Sequence, residues 1–149
     1  MKIIIITLLF LSALFANIKI GDTLPLFNLV DQFDTKIEIK KEGNTTLLFS
    51  FEKDVSSSIK KYIDSQPSTF LEDNHIVYIS DISSMPSFIT SWFAIPKMRK
   101  FDFKIALIYD EVGELVPRKE DKVSVLKLSD NKVMSINFIK AKELDTLLK

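Results

Sequence analysis

The sequence predicts an α/β fold, in which a mixed β-sheet has helices on both faces. Two buried-looking apolar runs, at 45–51 and 75–80, are each followed by a segment with helical spacing. A third apolar run, at 103–109, completes a strand–helix–strand–helix–strand pattern, which is typical of parallel strands joined by right-handed crossovers. Two further β-rich segments follow, at 123–128 and 132–138. The residues between them, Ser129-Asp130-Asn131, favour a hairpin turn.

The other elements follow from apolar spacing and from the positions of the prolines. Within residues 26–39, strand-like segments with apolar residues lie on either side of a turn-like segment at 31–34, which predicts an N-terminal β-hairpin. The first helix is expected to end before Pro67, because proline cannot continue a helix. The second is expected to start at Pro86 and to close at Pro96. The predicted apolar face of this second helix consists of residues at helical spacing: Phe88, Ile89, Trp92 and Phe93. A short C-terminal helix is predicted from the same spacing of Leu144, Leu147 and Leu148.

These elements predict a core sheet of five strands in the order 3-2-1-4-5. Strand 1 is the run at 45–51, strand 2 that at 75–80, and strand 3 that at 103–109. These three are expected to be parallel to one another. The hairpin strand at 123–128 is expected to lie antiparallel beside strand 1.

Composition predicts one self-sufficient domain after a short leader. The chain has 149 residues, of which 46% are hydrophobic, and this is enough to bury a core. Lys plus Arg and Asp plus Glu are balanced at 20 each. Because only Arg99 and Arg118 are arginine, the chain is poorly equipped to recognise phosphates or bases, which argues against a nucleic-acid partner.

Residues 1–16 form an apolar stretch behind Lys2, with small residues near its end. This pattern predicts a secretory signal peptide, followed by a single domain at 17–149 and a periplasmic location. An uncleaved N-terminal anchor is the alternative. No later segment is apolar enough to be a membrane span. The chain contains no cysteine, so the exported domain is expected to fold on its core alone.

Three segments carry a resemblance to a known family: Gly21-Asp22-Thr23-Leu24-Pro25-Leu26-Phe27-Asn28-Leu29, Ile108-Tyr109-Asp110-Glu111-Val112-Gly113-Glu114-Leu115 and Val125-Leu126-Lys127-Leu128-Ser129-Asp130-Asn131-Lys132-Val133. They resemble the thioredoxin-like superfamily in its peroxiredoxin-type variant. The resemblance covers nearly all of 17–149 and implies a thioredoxin-like three-layer sandwich. It is closest to exported thioredoxin-like proteins of unassigned function that lack Cys-x-x-Cys.

The resemblance places Asp54 and Ser57 at the two redox-cysteine positions, as a degenerate motif. A carboxylate cannot replace a thiolate in disulfide exchange, which excludes dithiol oxidoreductase and cysteine peroxidase chemistry. The cis-proline that precedes the first hairpin strand in redox members is also missing, since Asp121-Lys122 stand before Val123.

Asp54, Asp81 and Asp110 each follow a predicted parallel strand, so they are expected at one edge of the sheet. Three carboxylates there could hold Mg²⁺ or Ca²⁺. The interpretation that we favour is local: each aspartate caps a helix or opens a turn. The single histidine, His75, starts a strand and is expected to have a surface role. Ser56-Ser57-Ser58 lie at a helix N-terminus, without the nearby base that a serine nucleophile needs.

A protein-contact surface is suggested by Trp92, Phe93, Met98 and Phe101, where aromatic, Met and basic residues are interleaved. Packing of these aromatics against the sheet is the favoured alternative. The resulting hypothesis is an exported, non-redox binding or accessory module for another periplasmic protein, with no cofactor. The rival is an enzyme or divalent-metal protein that uses the carboxylates of Asp54, Asp81 and Asp110.

Overall fold

The computed structural model describes residues 16–148, so the predicted signal peptide lies outside the described residues apart from Ala16. Within this range, seven strands form one sheet in the order β2-β1-β5-β4-β3-β6-β7. The strands are β1 (Leu29–Val30), β2 (Lys36–Ile37), β3 (Asn44–Ser50), β4 (Ile76–Asp81), β5 (Ala106–Ile108), β6 (Val123–Ser129) and β7 (Lys132–Ile139).

The predicted core topology is confirmed, and the predicted number of strands needs correction. Strands β3, β4 and β5 are parallel, and β6 lies antiparallel beside β3, as expected. The sheet has seven strands rather than five because the N-terminal hairpin joins it. Val30 of β1 pairs with Leu107 of β5, which extends the sheet beyond β5.

Strand β5 is shorter than the apolar run at 103–109 predicts. It covers only Ala106–Ile108, because the backbone just before it bonds to a side chain instead of to a neighbouring strand. The Gln32 side-chain amide donates to the Phe103 carbonyl at 2.8 Å. The Gln32 Oε1 accepts the Ile105 N–H at 3.0 Å. Gln32 is itself buried, so a polar side chain of the hairpin fixes the start of an internal strand.

The sheet separates two apolar clusters, since alternate residues of β3 point to opposite faces. On one face, Leu48 packs with Ile59 of the helix α1 and with Leu144 of the C-terminal helix α5. On the other, Leu47 and Phe49 pack beneath the N-terminal segment and a 3₁₀-helix at Glu111–Leu115. The α-helices are α1 (Lys53–Asp64), α2 (Phe70–Asp73), α3 (Ser87–Ile89), α4 (Ile95–Met98) and α5 (Leu144–Leu148).

Both faces of the sheet therefore carry helical structure, but more helices pack on one face than on the other. Side chains of α1, α2, α4 and α5 all join the cluster around Leu48. The opposite face is covered by Val112 and Leu115 of the 3₁₀-helix and by extended chain. No helix in residues 16–148 is long and apolar enough to cross a membrane.

The prediction that Pro96 closes the second helix is wrong. Helical structure runs without a break from α3 through a π-helix at Thr90–Ala94 into α4, where Pro96 lies in the first turn. The Ile95 N–H bonds to the Thr90 carbonyl, five residues back. In a regular α-helix, the Pro96 ring would clash with the carbonyl four residues earlier. The wider π-helical turn makes room for the ring, so the helix continues past Pro96.

Candidate functional site

The N-terminus of α1 begins two residues earlier than the sequence pattern indicates. Glu52 is the N-cap, with extended φ and ψ, and its side chain does not cap the helix. Asp54 is the second helical residue and is exposed, so the prediction that it caps the helix is wrong. Its acidic side chain still lies in the first turn, where it interacts favourably with the positive end of the helix dipole. Ser57 is exposed in the same turn, and the assignment of Asp54 and Ser57 as redox positions stays a prediction.

Glu52 connects this turn to the loop before β6. Its Oε1 accepts the backbone N–H of Asp121 at 3.0 Å. Asp121 has a φ of 55°, a left-handed conformation that favours residues with short polar side chains or none. This loop stands where the resemblance would place a proline. The carboxylate of Glu52 is therefore already engaged in holding two loops together.

The candidate carboxylate edge does not come together as a metal site. Asp110, which was predicted to open a turn, is the N-cap of the 3₁₀-helix and accepts the Val112 N–H at 3.1 Å. Asp81 ends β4, and its Oδ1 accepts the N–H and hydroxyl of Ser83 at 3.0 and 2.6 Å. Among residues 16–148, no three His, Cys, Asp or Glu side chains are arranged to hold a metal ion.

The second oxygen of Asp81 packs against the 3₁₀-helix. Its Oδ2 lies 3.6 Å from Arg118 Nη2, and the Asp81 side chain is only 6% exposed. Gly113 permits this approach, since a Cβ there would lie 2.2 Å from that oxygen. Arg118 also donates to the Gly113 carbonyl at 2.6 Å and stacks over the Phe51 ring at 3.8 Å. The carboxylate is thus held in an ion pair that the sequence pattern did not indicate.

His75 lies far from these residues. It is exposed and immediately precedes β4, whereas Asp81 is the last residue of that strand. Six residues of extended chain span roughly 20 Å, so His75 cannot serve as a base for the serines at the start of α1. The predicted surface role is consistent with this position.

A cluster of hydroxyl groups lies beneath the first turn of α1, and sequence reasoning missed it. Ser50 Oγ lies 3.0 Å from the Tyr78 hydroxyl, and both side chains are buried. The Ser56 hydroxyl is directed at Ser50 Oγ, 2.8 Å away, and at the Glu52 carbonyl oxygen, 3.0 Å away. Burial raises the pKa of Tyr78, and hydrogen bonds from Ser50, Ser56 and Ser80 offset part of that rise. The only sequence signal was serine at the end of two apolar strands.

Above this cluster lies a cavity of about 520 Å³, which we call the α1 cavity. It opens between the first turns of α1 and the helical segment 87–98. Tyr78 and Ser80 contribute to its floor, and its walls are mainly apolar side chains: Met85, Ile89, Phe93, Met98, Phe101 and Ile105. Lysines stand at its mouth: Lys53, Lys60 and Lys97.

The N-terminal hairpin holds one wall of this cavity in place. Besides its bonds to Phe103 and Ile105, the Gln32 side chain approaches the Met98 carbonyl at 3.3 Å. In return, Arg99 donates from Nε to the Gln32 carbonyl at 2.8 Å. These bonds bridge about 70 residues of sequence, so a pattern of local spacing could not reveal them.

The predicted contact surface divides into two parts. Trp92 and Phe93 are 73% and 62% exposed, and Phe88 is 55% exposed with its ring 6.5 Å from that of Trp92. The favoured interpretation, that these aromatics pack a helix onto the sheet, is wrong for Trp92 and Phe93. Phe88, which was predicted on the apolar face of the same helix, is exposed as well. Met98 and Phe101 do pack against the core cluster. We call Phe88, Trp92 and Phe93 the aromatic surface.

Solved structures similar to this chain include a thiol-disulfide oxidoreductase, a peroxidoxin and a peroxiredoxin-like protein. One is the thioredoxin domain of a thiol-disulfide oxidoreductase from Bacteroides vulgatus, with a TM-score of 0.57 at 10% identity, covering 89% of this chain and 100% of that chain. Another is a peroxidoxin from Mycobacterium tuberculosis, with a TM-score of 0.56 at 18% identity, covering 89% and 94%. A third is a peroxiredoxin-like protein from Aquifex aeolicus, with a TM-score of 0.55 at 12% identity, covering 89% and 85%. The chain has the thioredoxin-like fold.

At these identities the comparison shows the thioredoxin-like fold alone. No known family model matches the sequence, and no curated protein matches it. One of the similar structures belongs to a thiol-disulfide oxidoreductase, whereas this chain has no cysteine. The site must therefore be understood from its own residues, which are a hydroxyl floor, apolar walls and lysines.

Proposed function

We propose that the protein is an exported, non-redox binding module that acts as an accessory to another periplasmic protein. The observation that carries the proposal is the aromatic surface, where three large aromatic side chains stand in solvent on one helical segment. Aromatic residues are enriched at the centres of protein interfaces, because they bury a large area with few torsions to restrict. The missing cysteines leave the fold without thiol chemistry, which supports binding over redox catalysis.

The rival function, an enzyme or metal protein that uses Asp54, Asp81 and Asp110, has no supporting contact. Asp81 is paired with Arg118, Asp110 caps the 3₁₀-helix, and Asp54 is exposed in the first turn of α1. A ligand that binds only the folded state must raise its stability. We therefore expect no rise in the thermal unfolding midpoint with millimolar Mg²⁺ or Ca²⁺. A saturable rise that is lost in Asp81→Asn would restore the rival.

The binding proposal is tested by crosslinking and recovery from periplasm. The protein is compared with the double variant Phe88→Ser and Trp92→Ser, which removes apolar area from the aromatic surface and leaves Phe93, a wall residue of the α1 cavity, unchanged. The matched control is Leu26→Ser, since Leu26 is 80% exposed but belongs to the N-terminal segment. We expect one stoichiometric protein partner with the unchanged chain and with the control, and its loss from the double variant. Recovery of the same partner by all three forms would overturn the assignment of the surface.

A further inference from the structure

We propose that the α1 cavity binds a small amphipathic carboxylate, with the apolar chain inside and the carboxylate at the lysine-lined mouth. This inference does not depend on the protein partner proposed above. It rests on the shape and lining of the cavity, on the charges that remain unpaired at its mouth, and on the neutral floor beneath it.

The apolar part of the ligand is indicated by the walls. At about 520 Å³, the cavity falls in the range of small-molecule sites, which are mostly apolar with a few polar groups. Two of its wall residues, Met85 and Met98, are flexible thioethers that adapt to the shape of a chain. Phe101 adds a ring that is only half-buried. This lining favours an aliphatic or aromatic body over a sugar or a nucleotide.

The charge of the ligand is indicated by the contacts that the charged lining residues already make. Asp81 is paired with Arg118, whereas Glu52 accepts the Asp121 N–H but takes part in no ion pair within residues 16–148, so its charge is unpaired. Lys60 is paired with Asp64 and lies over the Phe101 ring.

Lys53 and Lys97 differ from Asp81 and Lys60. Both are exposed, and in residues 16–148 neither takes part in an ion pair. These two lysines outnumber the one unpaired carboxylate of the lining, that of Glu52, so the net unpaired charge is positive, which complements an anion. Two lysines without a forked arginine suit a single carboxylate better than a phosphate chain.

The floor fixes the orientation of the ligand. Ser56 and Tyr78, which line the cavity, already share hydrogen bonds with the buried Ser50, and these hydroxyl groups carry no charge. A carboxylate placed there would lose hydration without gaining a cation, which is costly. At the mouth it keeps water and gains the lysines. The carboxylate consequently belongs at the mouth, and the chain extends inward along the methionines.

Methionine methyl NMR tests this proposal directly. The probe is decanoate, used below its micelle-forming concentration, and the reporters are the ¹³C-labelled methyl groups of Met85 and Met98. Met134, exposed on β7, is the internal control. We expect saturable shifts at Met85 and Met98, none at Met134, and weaker binding of decanol, which lacks the charge. Equal shifts at all three methyls, or no saturation, would overturn the proposal.

Charge variants test the head group. Lys53→Gln with Lys97→Gln should weaken decanoate binding by about tenfold, the order expected from losing two exposed charge contacts. The control, Lys100→Gln with Lys142→Gln, removes two exposed lysines that do not line the α1 cavity and should change binding less than twofold. Unchanged affinity in the first variant would overturn the role of the mouth. Decanoate binding without a protein partner, or the reverse, separates this proposal from the preceding one.

Discussion

At the scale of single residues, the polar side chains inside the fold do the most to position its parts. Gln32 and Asp31 are both 1% exposed, yet neither lies in a segment of regular structure. The Gln32 side chain forms hydrogen bonds with backbone groups of the segment that forms one wall of the α1 cavity. Asp31 closes the hairpin turn, since its Oδ1 accepts the N–H groups of Phe33 and Thr35 at 2.8 and 2.9 Å. Its Oδ2 has no hydrogen bond and lies 3.6 Å from Lys104 Nζ.

Asp31 should make stability depend on acid. Burial would raise its pKa, but the N–H groups of Thr35 and Phe33 and the charge of Lys104 together lower the pKa below its ordinary value. A group with a lowered folded pKa contributes stability above its unfolded value, here 3.8, and loses it as the pH falls through the folded pKa. Asp31→Asn should cost about 1 kcal/mol at pH 7 and flatten the loss of stability below pH 4.

Urea unfolding between pH 2 and pH 7 measures both effects. The matched control is Asp34→Asn in the same turn, because the Asp34 side chain is 78% exposed and its ion pair with Arg99 is long, at 3.4 Å. The control should leave the acid limb unchanged. An acid limb that stays as steep in Asp31→Asn as in the unchanged chain would contradict the assigned role of this carboxylate.

At the scale of elements, the observed start of α1 bears on which residues correspond to a redox pair. The resemblance places the pair at Asp54 and Ser57, both inside the helix. A thiol gains most from a helix N-terminus when it can accept the amides of the first turn, as an N-cap side chain does. The N-cap here is Glu52, and Val55 follows it by three residues. The structure thus adds a second pair with the same spacing.

Two double-cysteine variants separate these pairs. Residues three apart in this turn satisfy the Cα separation of about 4.4–6.8 Å that a disulfide needs, so Asp54→Cys with Ser57→Cys should oxidise to an intramolecular bridge. Its first thiol should titrate below about 8.5. Glu52→Cys with Val55→Cys should show the lower thiol pKa of the two, because its thiolate can accept first-turn amides.

Free-thiol counts after mild oxidation and thiolate absorbance against pH are the measurements. If both variants keep two free thiols with unshifted titration, the α1 N-terminus does not correspond to the redox centre of thioredoxin-like proteins. If the pair at 54 and 57 is the more acidic, the original assignment holds against the one that the helix start favours.

At the scale of the whole molecule, the predicted leader can be tested on the intact protein. The apolar stretch at 1–16 predicts a signal peptide. Intact mass spectrometry of the protein from periplasm should show the loss of ~16 residues, the usual position of cleavage after such a stretch. Full-length chain recovered only from membranes would establish the anchor instead.

The sequence by itself determined the class of the fold and the order of its core strands. Apolar periodicity, turn residues and prolines are local signals, and they identified β3, β4, β6 and β7 to within two residues at either end. The two-residue turn at Asp130 and Asn131, with φ of 47° and 64°, has the left-handed backbone that this residue pair favours. The absence of cysteine likewise excluded dithiol oxidoreductase and cysteine peroxidase chemistry.

Only the tertiary structure decided what the site contains. Ser50, Ser56 and Tyr78 meet because β3, α1 and β4 pack together, and Gln32 reaches the cavity wall across more than 60 residues of sequence. The exposure of Trp92 also depended on packing, since Thr90, and not Trp92, is the buried residue of the π-helix. Spacing reports which residues share a face of one element, whereas burial and pairing depend on which element lies opposite, and that is fixed only in the folded chain.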